Sequence, residues 1–308
     1  MSRTRPSKLD EARLDFAPLP VTLIEAAIRS ALDEDLGLAG DVTTNATISE
    51  SARAEAAIAA RTAGVVSGID VAEAAFRALE PSVQFQTLVN DGQAVGAGQN
   101  IVRIAGSARA LLTAERVALN FMGRMSGIAT LTRRYVEAVA QTEAKITDTR
   151  KTTPGLRAFE KYAVRCGGGH NHRNGLFDAV LIKDNHIIAA GGLSSALKAA
   201  RKAAGHLMKI EVEVDTLDQL DEALKFDIDA VLLDNMSTEQ LREAVRRVKG
   251  RCVTEASGGV NLDTVKAIAQ TGVDVISIGA LTHSAPTLDL GFDFLTLAPH
   301  GASARGGA

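Results

Sequence analysis

The sequence predicts an α/β protein in two parts: an N-terminal α+β sandwich, then a parallel α/β barrel of the TIM type, complete or open. Three observations point there. The chain has 308 residues, and at roughly 150 residues per domain that suits two domains. From residue 144 onward, apolar strand-like runs alternate with helical patterns, the late ones recurring about every 21–23 residues; this is the rhythm of βα units joined by short loops. No GxGxxG fingerprint follows a first strand, which favours a barrel over a Rossmann sheet.

Residues 1–20 hold three prolines and scattered charges and read as a flexible arm; HGASARGGA at 300–308 reads the same way. Leu23, Ile24, Ala27, Ile28, Ala31 and Leu32 are spaced for a helix over Leu23–Leu36. Gly40–Thr44 reads as a turn. Ala54–Ala60 and Gly64–Ser67 read as short strands, Val71–Leu79 as a helix and Ser82–Leu88 as an alternating strand. DGQAVGAGQ at 91–99 is a Gly-rich turn before a strand at Ile101–Ile104, and Ala108–Met125 is a long amphipathic helix. A compositional break follows near 123–145. The sandwich then covers 21–125, with 286–300 packing back on it, and the barrel covers 126–285. Barrel strands fall at Ala144–Thr149, Asp178–Lys183, Lys209–Val214, Asp229–Asp234, Cys252–Ala256 and Asp274–Gly279. Helices fall at Leu193–Ala203, Leu217–Lys225, Thr238–Val248 and Leu262–Gln270.

Composition narrows the function. Apolar residues make up 46%, charged residues 23% and the net charge is −3, an ordinary globular balance that lacks the basic excess of a nucleic-acid binder. Trp is absent and Tyr occurs twice, so base-stacking platforms are not expected. Cys166 and Cys252 form no disulfide framework, which suits a reducing, cytoplasmic setting. The N-terminus lacks the apolar core of a signal peptide, and no run approaches the ~18 apolar residues of a membrane helix.

Chemistry gathers at the strand ends, where barrel enzymes build their sites. These ends read Arg150-Lys151, Lys183-Asp184, Glu213-Val214-Asp215, Asp234-Asn235, Glu255-Ala256-Ser257-Gly258-Gly259 and Gly279. In KIEVEVD, Ile210, Val212 and Val214 take one face and Glu211, Glu213 and Asp215 the other. Carboxylates turned into a barrel need cations; on an edge strand they would simply be solvated. From Lys145 to His186 there are eight Lys or Arg against four acids, with His170, His172 and His186. That suggests an anionic small ligand, held by cationic side chains and by the backbone N–H groups of a Gly-rich loop. A zinc site of Cys166, His170 and His172 is disfavoured by irregular spacing and the want of a fourth ligand. Ser257-Gly258-Gly259 and Ile278-Gly279-Ala280, in consecutive late units, suit a phosphate site. Glu213 and Asp234 suit Mg²⁺ or sugar hydroxyls. Lys151 or Lys183 leaves a Schiff-base lyase open.

TRKTTPGLRAFEKYAV (149–164), CGGGHNHRNGLFDAVLIKDNHI (166–187), EVEVD (211–215), LLDNM (232–236), EASGGV (255–260) and SIGALTHS (277–284) together resemble the quinolinate phosphoribosyltransferases, the carboxylating nicotinate-nucleotide pyrophosphorylases. EDLGLAGDVTT (34–44) and ERVALNFMGRMSGIAT (115–130) extend the similarity over nearly the whole chain beyond residue 20. The resemblance implies a type II phosphoribosyltransferase fold, with an N-terminal α/β sandwich and an open, incomplete barrel. It implies that quinolinate and phosphoribosyl pyrophosphate give nicotinate mononucleotide, CO₂ and pyrophosphate with Mg²⁺, in NAD synthesis. It implies a homodimer in which Arg116 reaches the neighbouring site. By motif, Arg150, His172, Arg173 and Lys183 would meet the quinolinate carboxylates, with Thr149 beside them. Lys151 would lie between the ligands as a catalytic group, with Glu213 and Asp234 at the ribose and at Mg²⁺, directly or through water. Ser257, Gly258, Gly259, Ile278, Gly279 and Ala280 would hold the 5′-phosphate, with His283 close by. Rival readings are a relative with another anionic acceptor such as nicotinate, the Schiff-base lyase, and a non-catalytic anion binder.

Overall fold

The computed structural model describes residues 17–298. In chain order the first elements are α1 (Val21–Leu36), α2 (Val42–Thr47), β1 (Arg53–Ala60), β2 (Gly64–Val65), α3 (Ile69–Leu79), β3 (Gln84–Thr87), β4 (Ala94–Val95), β5 (Asn100–Ser107) and α4 (Ala108–Val139). There follow β6 (Lys145–Thr147), α5 (Arg157–Cys166), β7 (Val180–Ile182), α6 (Asp184–Ala189), α7 (Leu193–Ala203), β8 (Ile210–Val214) and α8 (Leu217–Ala223). The last are β9 (Ala230–Asp234), α9 (Thr238–Val248), β10 (Val253–Ser257), α10 (Val265–Ala269), β11 (Val275–Ser277), α11 (Ala280–His283) and β12 (Leu290–Ala298). Two compact units result: residues 17–130, 165–167 and 285–298, and residues 131–164 and 168–284.

The first unit is built on an antiparallel sheet in the order β12-β1-β5-β3. Alanines dominate β1, and Ala56, Ala57, Ile58, Ala59 and Ala60 are all buried. In α1, Ile24, Ile28 and Leu32 recur every fourth residue and form the buried stripe. In α3, Phe76 stacks on Phe292 of β12 at 5.9 Å between ring centroids, a large apolar anchor for that strand. The expected turn at Gly40–Thr44 instead opens α2, because the Asp41 carboxylate caps the Thr44 amide at 2.9 Å. The Gly-rich turn at 91–99 contains β4, paired with β2. The expected arm lies outside the described residues except for 17–20. There Leu19 is buried and the Ala17 carbonyl accepts from Arg165 at 3.1 Å.

The helix expected to end at Met125 runs on to Val139, through the expected break. Gly123 lies inside the expected helix and Gly127 just past its expected end, and both serve close packing. A Cβ on Gly127 would lie 2.0 Å from the Pro286 carbonyl oxygen, and the Leu288 amide donates to the Gly123 carbonyl at 3.0 Å. The glycines are needed where two backbones meet.

The second unit holds six parallel strands in the order β6-β11-β10-β9-β8-β7. β6 and β7 are the outer strands, so the barrel is open, as the resemblance implied. The sequence of β8 alternates as read, with Ile210, Val212 and Val214 buried on one face. With β7 on one side and β9 on the other, β8 is no edge strand. Helix α9 shows how the βα units are punctuated. Ser237 and Gln240 form a reciprocal capping box, Leu241, Ala244 and Val248 are its buried side, and Lys249 ends it in a left-handed turn.

Candidate active site

The sheet register lines up the polar residues. Glu213 and Glu255 both pair with Leu232, so the three side chains share a row and a face. Glu211 lies one row back beside Ala230, and Asp234 and Ser257 one row forward. Polar groups thus climb one face of the parallel sheet towards its C-terminal end, where the loops supply cations.

The deepest group is His172 with Glu211 and Glu255. His172 Nε2 lies 3.2 Å from Glu211 and 3.5 Å from Glu255, and both glutamates are buried. Among the described residues this is the one set of three His, Cys, Asp or Glu side chains spaced to hold a metal ion. The hydrogen bonding speaks otherwise. The Arg173 amide donates to His172 Nδ1 at 2.7 Å, which puts the ring proton on Nε2, facing Glu211. Burial, and next the charge of Glu211, push Glu255 up to about 7, so near neutrality the glutamate pair holds a proton. One oxygen of each glutamate has no hydrogen-bond partner. In the sequence Glu211 shows only its face, through the alternation of KIEVEVD, and Glu255 only its place at a strand end; their meeting with His172 needs the fold.

At the mouth, Arg173 lies within range of the Arg150 charge. Burial, then the charge of Arg150, hold the Arg173 guanidinium below its usual range. Arg150 Nε is buried without a partner, and Arg173 reaches the Ala179 carbonyl at 3.2 Å. Two crowded guanidiniums are a receptor for an anion. Lys183 closes the row as the partner of Glu213 in a tight ion pair. The Thr149 hydroxyl accepts from the Lys151 amide at 3.0 Å. Lys151 Cδ and His283 Nε2 lie 3.1 and 3.2 Å from where a Cβ on Gly279 would be, so these three meet. Thr282 donates to the Lys151 carbonyl at 2.7 Å and fixes that loop.

The expected phosphate loops have the required shape. Gly258 and Gly259 both take positive φ, +91° and +61°. A Cβ on Gly258 would stand 2.1 Å from Asn235 Oδ1. Asn235, itself at φ 52°, donates its amide to the Ser257 carbonyl at 3.0 Å, locking this turn to the end of β9. Ile278 is buried, with its amide on the Thr147 carbonyl at 3.0 Å, and Ala280 opens α11.

Three expectations are corrected. Six amides of the loop after Cys166 are not open to a ligand: those of Gly169, His170, His172, Arg173, Asn174 and Gly175 are spent inside the protein. Recognition there falls to side chains. Of the eight cations in 145–186, Lys161 is sealed against buried Asp148, and Arg157 binds the Thr152 hydroxyl and the Asn174 carbonyl. Asp215 lies past the end of β8 and is exposed, so it does not join Glu211 and Glu213. Arg116 belongs to the first unit, where its side chain is 64% exposed and 3.8 Å from Glu115.

Family models decide the kinship. Residues 41–126 match the quinolinate phosphoribosyl transferase N-terminal domain, and residues 128–293 match its C-terminal domain. The chain belongs to the quinolinate phosphoribosyltransferase family. Among relatives of this family, the Mycobacterium leprae nicotinate-nucleotide pyrophosphorylase [carboxylating] is 47% identical over 271 residues, covering 86% of this chain and 95% of that protein. The crystal structure of NadC from Streptococcus pyogenes superposes with a TM-score of 0.87 at 41% identity, covering 91% of this chain and all of that one. The nicotinate-nucleotide pyrophosphorylase from Francisella tularensis gives 0.86 at 40%, covering 90% and 98%. No helix among the described residues is long and apolar enough to cross a membrane.

Proposed function

We propose that this chain transfers the phosphoribosyl group of phosphoribosyl pyrophosphate to quinolinate, releasing CO₂ and pyrophosphate and forming nicotinate mononucleotide for NAD synthesis. The Arg150 guanidinium, its Nε buried without a partner and its charge felt by Arg173, carries the reading, because the two cations suit an acceptor with two adjacent carboxylates. Lys183 supplies a third cation once the acceptor competes with Glu213 for it. The quinolinate nitrogen attacks C1 of the ribose as the C1–O bond to pyrophosphate breaks. Glu213 and Asp234 face the positive charge that develops on the ribose. The ring carboxylate next to the nitrogen then leaves as CO₂, and the electron pair left on carbon takes up a proton. Lys151, beside Gly279 and His283, meets the pyrophosphate side, and the Ser257–Gly259 and Ile278–Ala280 turns take the 5′-phosphate.

Mg²⁺ is the expected cofactor. Asp234 is half-buried and its Oδ2 accepts from Asn235 Nδ2 at 2.6 Å, while Glu213 is engaged by Lys183. Such a pair is no closed cage. It fits an ion that keeps its waters and binds one or two carboxylates together with substrate phosphates, whose charge it neutralises. The working assembly is read as a homodimer, with Arg116 of one copy completing the acceptor pocket of the other.

A second reading, nicotinate as acceptor, needs fewer cations than the mouth provides. Phosphoribosyl pyrophosphate, Mg²⁺ and either quinolinate or nicotinate in separate reactions distinguish the two. Nicotinate mononucleotide with CO₂ from quinolinate alone is expected; product from nicotinate, or from neither, overturns the assignment.

A further inference from the structure

The mechanism leaves one buried charged pair unused. Asp148 follows directly on β6, is wholly buried, and contacts the ammonium of Lys161 on α5, itself 2% exposed. Both ions are held against their preference: burial pushes the Asp148 carboxyl up and the Lys161 ammonium down. A buried ion pair is a weak source of stability, since desolvation offsets most of the attraction. Its contacts point to another use. Asp148 accepts the His172 amide at 2.9 Å, and Lys161 donates to the His172 carbonyl at 2.9 Å. Asn171 Nδ2 donates to Asp148 at 2.6 Å and to the Lys161 carbonyl at 2.8 Å. The Asp148 amide bonds the His170 carbonyl at 3.2 Å. Both peptide groups flanking the His172 side chain are therefore held by one ion pair, and its Asp148 sits one residue before Thr149.

We propose that Asp148 and Lys161 are positioning residues for the acceptor: they key the strand end carrying Arg150 to the loop carrying His172 and Arg173, and so set the spacing of the carboxylate-binding cations, while Lys151 is held separately by Thr282. This rests on the reading of the site given above. Neither residue touches substrate. The pair acts through the backbone, where a displacement of about 1 Å can cost a hundredfold in rate.

The test compares Asp148→Asn, Lys161→Met, the double variant and Asn171→Ala with the natural chain, measuring KM for quinolinate, KM for phosphoribosyl pyrophosphate, and thermal unfolding. Removing both charges together spares the protein an unpaired buried ion, so the double variant is the one expected to fold. Its quinolinate KM should rise about tenfold or more while the phosphoribosyl pyrophosphate KM stays within about twofold. Asn171→Ala, which removes one strut from a half-buried residue, should raise the quinolinate KM about threefold. A folded double variant with unchanged quinolinate KM overturns the proposal, as does a parallel rise in both constants. Should no charge variant fold, an unchanged quinolinate KM in Asn171→Ala does the same. Failure of the functional reading is separate and visible earlier, as a natural chain that makes no product from quinolinate.

Discussion

Lys151 stands against Gly279 and His283 with its own carbonyl pinned by Thr282, a place suited to a leaving pyrophosphate rather than to the acceptor. Lys151→Ala should therefore lower kcat by about a hundredfold or more while the quinolinate dissociation constant, read by calorimetry, moves little; unchanged turnover removes it from the mechanism. Gly258 has no room for a Cβ and sits at positive φ. Gly258→Ala should cost about 1–3 kcal/mol of stability and raise the KM for phosphoribosyl pyrophosphate, with quinolinate affinity spared. Glu255 makes a pH prediction. Its carboxyl rises from 4.5 to about 7 on folding, through burial and then the charge of Glu211. Between those values the folded chain binds the proton that the unfolded chain has released, so this group makes stability fall as pH rises from about 4.5 to about 7 and level off above. Calorimetric melting from pH 5 to 8 should show a flatter profile for Glu255→Gln than for the natural chain; parallel profiles would falsify the assignment of the proton to this pair.

Helix α4 sets two expectations against each other. An alanine for a mid-helix glycine ordinarily gains up to about 1 kcal/mol. Gly127→Ala should instead lose about 2 kcal/mol or more, because the new methyl meets the backbone of Pro286 rather than a movable side chain; thermal unfolding decides the sign. The same element shows where sequence reading stops. Apolar periodicity located α7 and α9 to the residue, and the alternation in KIEVEVD separated the buried aliphatic face of β8 from its carboxylate face, because both patterns are local. The length of α4 was not legible, since the packing that holds its middle turns, around Gly123 and Gly127, comes from residues 286–288, far along the chain. Lys161 was counted among the ligand cations for the same reason: its partner Asp148 is identifiable only once α5 is laid against the end of β6. The amides of the loop after Cys166 looked available because hydrogen bonds such as His172 to Asp148 cannot be counted in one dimension.

For the molecule as a whole, the decisive question is whether the site is finished by a second copy. Arg116 is among the more exposed arginines of the first unit. If it serves a neighbour, Arg116→Ala and Lys151→Ala should each be inactive alone, yet regain about a quarter of natural activity when unfolded together and reassembled, since a quarter of the sites then draw both intact residues from different chains. No recovery argues against sharing. The place of β12 carries a different consequence, for synthesis. β12 forms one side of the first unit's sheet by pairing along the whole of β1, although more than 200 residues separate them. During translation every strand of the second unit emerges before the strand that completes the first. The early-made half must wait on the ribosome with the alanine-rich flank of β1 unpaired, a surface on which nascent chains can stick to one another, while the later-made half is free to finish before it.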